Sequence, residues 1–144
     1  MLKVEDISPA EMHALLQRQS FGHLGCARDD KPYVIPMHYA YDGHEFYFFT
    51  THGMKTQYIE ANPQVCLQVE EISDSTSWRS VMVVGRAVEI TNHEEMQRAM
   101  KIITERNPSL TPAISATQVD SLGRAVDIAL YRITPEIIDG RQTV

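Results

Sequence analysis

The segment Thr50-Thr51-His52-Gly53-Met54-Lys55-Thr56 places three hydroxyls, an imidazole and an ammonium within seven residues, where a strand-like run gives way to helical composition. A turn of this kind exposes backbone N–H groups that no helical carbonyl takes up. With Lys55 as a cation, it suits a phosphate. The alternative is an ordinary strand-to-helix connection with Thr51 as the cap. A second cluster, Trp78-Arg79-Ser80, opens a long strand-like run. Arg79 can grip a phosphate through two parallel N–H bonds and Trp78 can pack on an aromatic ligand; equally, Trp78 can close a barrel end while Arg79 faces water.

Other reactive side chains carry less. His23 and His38 fall on adjacent predicted strands, but two ligands without a third make a poor zinc site, and no metal is expected. His13, His44 and His93 occupy helix, turn and cap positions and read as surface groups. Cys26 and Cys66 lie inside apolar strand-like segments and read as small buried hydrophobes. Glycine-rich nucleotide loops, HExxH and GxSxG are absent, and no catalytic residue can be chosen from spacing.

The elements that must position these groups follow from local patterns. Ser8-Pro9-Ala10-Glu11 is a helix start with Ser8 as cap, Pro9 at the first helical position and Glu11 completing a capping box. Met12, Leu15 and Leu16 form its apolar stripe, and it ends near Gln19. Phe21 to Arg28, Tyr33 to Tyr41 and Glu45 to Thr50 read as strands of an antiparallel meander, with Asp42-Gly43 as a hairpin turn. Pro36 demands an edge or an interruption in the second of these. Met54 to Glu60 is helical until Asn62-Pro63; Gln64 to Glu70 is a fourth strand, Glu71 to Ser77 a polar loop, and Trp78 to Ile90 a long strand apolar on both faces, with Gly85 marking a bulge or a close approach. Asn92 to Arg106 is a helix, Ser109 to Arg124 a loop, Ala125 to Thr134 the last strand, and Pro135 the start of a tail. Some six strands with peripheral helices and no βαβ rhythm predict a mainly β, closed or partly closed antiparallel sheet.

Composition sets the limits. A chain of 144 residues, 43% hydrophobic, is expected to form a single domain over 1–144 with its own core. Nineteen acidic against thirteen basic side chains give a net charge of -6, which disfavours nucleic acid and anionic membrane as partners without excluding one anionic cofactor. The N-terminal stretch carries acids and a proline where a secretion signal would be apolar, and no window approaches a membrane span, so a cytoplasmic protein is expected.

Five phrases in order give a family resemblance: Phe21 to Gly25, Lys31 to Tyr39, Phe48 to Lys55, Asn62 to Cys66, and Trp78 to Ala87. Together they resemble the pyridoxamine 5'-phosphate oxidase-like FMN-binding split barrels, within them the small nitroimidazole-resistance-like branch. The resemblance implies a six-stranded antiparallel split β-barrel working as a homodimer, with FMN in clefts at the subunit interface. It places Ile35, Pro36, Met37 and His38 beside the flavin ring edge. Thr50, Thr51, His52, Lys55 and Thr56 fall at the phosphate, and Trp78, Arg79 and Ser80 on the strand that completes the site. The implied activity is an FMN oxidoreductase that reduces a small oxidised or nitroaromatic compound with NADH or NADPH. A noncatalytic flavin-binding or sensing module, or a relative holding a deazaflavin or heme, is the alternative. The C-terminal Arg and His motif by which the oxidases proper recognise pyridoxal phosphate has no counterpart in Tyr131 to Glu136.

Overall fold

The computed structural model describes residues 2–108 and 128–144. The loop expected over Ser109 to Arg124 and the start of the last strand at Ala125 lie outside these residues. In chain order the elements are β1 (Val4–Asp6), α1 (Pro9–Arg18), β2 (Phe21–Arg28), β3 (Lys31–His38), β4 (Ala40–Tyr41) and β5 (Phe46–Thr51). They continue with α2 (Met54–Ala61), β6 (Gln64–Asp74), β7 (Ser77–Glu89), α3 (His93–Arg106) and β8 (Ile128–Thr143). Eight strands among the described residues, not six, form one antiparallel sheet in the order β3-β2-β6-β7-β8-β5-β4, with β1 joining β8. The two ends of this path do not pair, so the barrel is split.

The expected meander fails at Tyr39. Its backbone N–H donates to Ser20 O at 3.0 Å, its carbonyl accepts Asn107 Nδ2 at 3.1 Å, and its hydroxyl donates to Leu16 O. With these groups taken by other elements, Tyr39 leaves the ladder. The chain crosses from β3 on one edge to β4 on the other. The two prolines of β3, Pro32 and Pro36, are tolerated because this edge strand pairs only with β2.

Glu71 to Ser77 is not a loop. β6 runs to Asp74 and pairs with β7 through Glu71 opposite Arg79 and Ile72 opposite Trp78. Polar residues persist in this ribbon because they face solvent, and Asp74 Oδ1 closes its turn by accepting from Thr76 N and Oγ1. Pro135 likewise starts no tail: it sits inside β8 at the register shift opposite Gly85, where its missing N–H disrupts least. Gly85 is required there, since a Cβ would stand 2.4 Å from Thr134 O.

The caps form as expected, but the capping box is only half made: Ser8 Oγ accepts from Glu11 N, while the Glu11 carboxylate turns to Arg79 at 3.7 Å instead of back to the Ser8 N–H. Asn92 caps α3 through Glu95 N. Leu15 and Leu16 enter the main core beside Leu24, Leu67, Val81, Val83, Phe46 and Phe48. Each such burial is worth about 1.5–3 kcal/mol. α3 forms a second core on the other side of β5 and β8, through Ala99, Met100 and Ile103 against Tyr47 and Leu130.

β7 is apolar on both faces, but only one is buried. Across its outer face the register aligns Val34, Gly25, Cys66, Val84 and Ile137 in one row, with Val34 64% and Ile137 59% exposed. No described helix is long and apolar enough to cross a membrane.

Candidate functional site

The phosphate-type turn lies where β5 ends. Thr51 pairs with Ile128 at the start of β8, and His52 and Gly53 lead into α2. Gly53, in extended backbone, is the cap position, so Thr51 does not serve as the cap. Thr56 Oγ1 accepts from Gly53 N at 2.9 Å and donates to Gly53 O at 2.8 Å, fixing the corner from inside. The first helical bond is Gln57 N to Gly53 O, leaving the N–H groups of Met54, Lys55 and Thr56 without helical acceptors. A Cβ placed on Gly53 meets nothing within 4 Å, so the corner opens onto free space. Lys55 has no carboxylate within ion-pair distance among the described residues.

A cavity of about 400 Å³ adjoins this corner, lined by His52, Thr56, Glu60, Arg86 and Tyr131 among others. Arg86 is an exposed guanidinium whose one signal in the sequence is its position after the bulge glycine Gly85. Tyr131 stacks on Phe48 with ring centroids 5.2 Å apart. Burial, reinforced by Glu89 and Glu60, pushes its phenol up to about 12, so it stays protonated at neutral pH.

β3 reaches this region through α2. Tyr58, one turn beyond Lys55 on the same helix face, packs on Tyr33 with ring centroids 5.3 Å apart. Two residues farther along, Ile35 is half-buried and Met37 is turned into the core, so Met37 offers an outside ligand its backbone alone. Pro36 and His38 are exposed on the outer face, where His38 and His23 both set ring edges against Phe21. The described residues contain no group of three side chains able to hold a metal.

Trp78, Arg79 and Ser80 do not join this group within one protomer. Arg79 pairs with Gln142 near the end of β8, whereas Thr51 pairs with Ile128 at its beginning. Trp78 and Arg79 line a separate groove of about 670 Å³. Ser80, on the outer face of β7, accepts from Gln68 Nε2 at 2.9 Å through its Oγ.

Residues 8–142 match the family described as pyridoxamine 5'-phosphate oxidase. An uncharacterized protein of Rhizobium meliloti (strain 1021) is 33% identical over 110 residues, covering 74% of this chain and 72% of its own. The crystal structure of a FAD-binding protein from Mesorhizobium loti superposes with a TM-score of 0.78 at 27% identity, covering 100% of this chain and 99% of the other. A candidate 5-nitroimidazole antibiotic resistance protein from Bacteroides thetaiotaomicron also gives 0.78, at 18% identity, over 99% of this chain and 89% of the other.

Proposed function

Because the chain belongs to the pyridoxamine 5'-phosphate oxidase family, we propose that it is an FMN-binding oxidoreductase that reduces a small oxidised or nitroaromatic compound with NADH or NADPH. The observation that carries the flavin reading is the corner at Gly53. There, helix-start N–H groups without helical acceptors, an exposed Thr51 and a Lys55 with no carboxylate in ion-pair distance among the described residues belong to one turn, at whose corner Gly53 opens onto free space. The FAD-binding relative from Mesorhizobium loti, similar over the whole chain, points to the same class of cofactor.

The residues present fit a flavin phosphate. Thr51, Lys55 and the N–H groups of Met54 and Lys55 hold it, His52 and Arg86 add donors at its rim, and Thr56 keeps the corner rigid. Pro36, His38 and the backbone of Ile35 and Met37 flank the ring edge from the free side of β3. A bound flavin supplies the hydride and electron transfer, which needs no protein nucleophile. The protein's part is orientation, exclusion of water and control of access. A second copy of the chain covers the outer row of Val34, Cys66, Val84 and Ile137 and closes the cleft.

The test is a titration with FMN, followed by NADH and NADPH oxidation with a panel of nitroaromatic acceptors. Saturable binding with turnover supports the proposal. Binding without turnover reduces it to a flavin-binding module, and absence of binding removes it. Sedimentation of the purified chain as a monomer would remove the dimer.

A further inference from the structure

We infer that Phe21 and His23, together with His38, form the seat of the acceptor, an uncharged aromatic compound whose nitro or carbonyl oxygen is taken by an imidazole N–H. The inference rests on the flavin reading, which sets the ring edge against Pro36 and His38, and it adds two residues of the neighbouring strand β2. The register brings the three side chains to one face. Phe21 pairs with His38 and His23 with Pro36, and alternation along β2 turns Phe21 and His23 to the same side. The Phe21 ring centroid lies 5.1 Å from that of His38 and 6.0 Å from that of His23, with interplanar angles of 69° and 78°.

This cluster differs from the chain's other aromatic groups. Phe21 is 46% exposed, whereas every other Phe, Tyr and Trp side chain is buried or half-buried. Among the described residues the histidine side chains with hydrogen-bond partners are His13 and His93, and His23 and His38 have none. A neutral imidazole carries one N–H donor, so the patch offers a bare phenyl surface and two unspent donors. Its neighbours decide the charge of what it takes. On the far side of β2, Gln68 stands opposite His23, and its Nε2 donates to Glu70 Oε2 at 3.0 Å and Ser80 Oγ at 2.9 Å. The Glu70 carboxylate is thereby held on the same face, where it repels an anionic ligand and leaves an uncharged one unaffected. Along the β2–β3 ladder the pairs Gly25 with Val34, His23 with Pro36 and Phe21 with His38 follow in turn. The seat therefore begins one row beyond the Val34 row that a second copy covers, beside the residues given to the flavin edge.

The probe is para-nitrobenzyl alcohol, titrated into the full chain with and without saturating FMN while the histidine ring C–H resonances are followed by NMR. Signals of His23 and His38 are identified by their loss in His23→Gln and His38→Gln. Both are expected to shift saturably, while His93, which has Gln97 as its partner, stays in place. Phe21→Ala weakens the probe about fivefold in the same titration, as expected for loss of an aromatic contact, and Phe21→Trp restores it. Neither variant changes FMN affinity. The anionic para-nitrobenzoate binds more weakly than the alcohol. The inference is overturned if His23 shifts in neither form of the chain, if Phe21→Ala binds the probe normally, or if the benzoate binds as well as the alcohol. Absence of FMN binding discards the flavin reading by itself, and the shifts in the flavin-free chain then judge the seat alone.

Discussion

The two ends of β8 carry similar residue types with opposite histories. Near Ile128, the turn from Thr50 to Thr56 presents an ammonium with no acidic partner among the described residues and N–H groups without helical acceptors. Near Gln142, Arg79 stands beside Glu11 and Ser80 is bonded by Gln68, while Glu71 is clamped by Arg18. The first end is the one we propose for the flavin phosphate. At the second, charge is largely balanced from within. Hydroxyls, cations and aromatics in sequence thus say little about strength of anion binding until their internal partners are known.

The strut between the two ends can be broken outright. Gly85→Ala forces a Cβ to 2.4 Å from Thr134 O in the middle of the β7–β8 ladder. A loss of about 3 kcal/mol in urea unfolding is expected, and with it weaker flavin binding at the turn. A variant of native stability would show that the ladder relaxes and that the ends are not rigidly linked. The next largest effect belongs to one end alone: Lys55→Ala weakens FMN about 10- to 100-fold, equivalent to about 1.5–3 kcal/mol. Equilibrium titration checks it.

Alkaline pH separates the ends in another way. Burial pushes the phenols of Tyr47 and Tyr131 up to about 12 from an ordinary 10.0; both lie on the β5–β8 pair, Tyr131 opposite Phe48 and Tyr47 beside Asp42 at its other end. A raised folded-state value means their contribution is complete below pH 10 and is lost as pH rises towards 12 and beyond. Circular dichroism across pH 9 to 12 should show loosening that begins in near-ultraviolet tyrosine signals while Trp78 fluorescence is still native. Simultaneous loss of both would place the weak point elsewhere. The smallest effect is that of Glu11→Ala. Its exposed pairing with Arg79 at 3.7 Å is worth less than about 0.5 kcal/mol. A larger fall in thermal stability would mean that Arg79 is held more firmly than an exposed pair implies.

Much of the fold was legible because it is local. Ser8 and Asn92 announce helix starts through single bonds from nearby N–H groups, Pro9 through its fixed backbone at the first helical position, and Gly85 marks a bulge that the register shift confirms. What stayed hidden is nonlocal. Tyr39 looks like one more residue in an alternating run, and only its bonds to Ser20 and Asn107 take it out of the ladder. The strand through Pro135 depends on meeting a register shift in β7, which nothing in the residues around Pro135 discloses. In the site, the turn at Thr50 to Thr56 could be read from its own residues. The separation of Trp78-Arg79-Ser80 from it could not, because it depends on which positions of β8 each strand meets. Arg86 is hidden for the same reason: its place beside His52 and Thr56 comes from the start of α2 and the end of β7 lining one cavity.

The central claim is that the end of β8 beside Lys55 is the flavin phosphate site, and FMN titrations of the native chain, Lys55→Ala and Arg79→Ala test it most directly. The account predicts saturable binding by the native chain, a loss of about 10- to 100-fold in Lys55→Ala and no change in Arg79→Ala. Native FMN affinity in Lys55→Ala, or no FMN binding by the native chain, would contradict it.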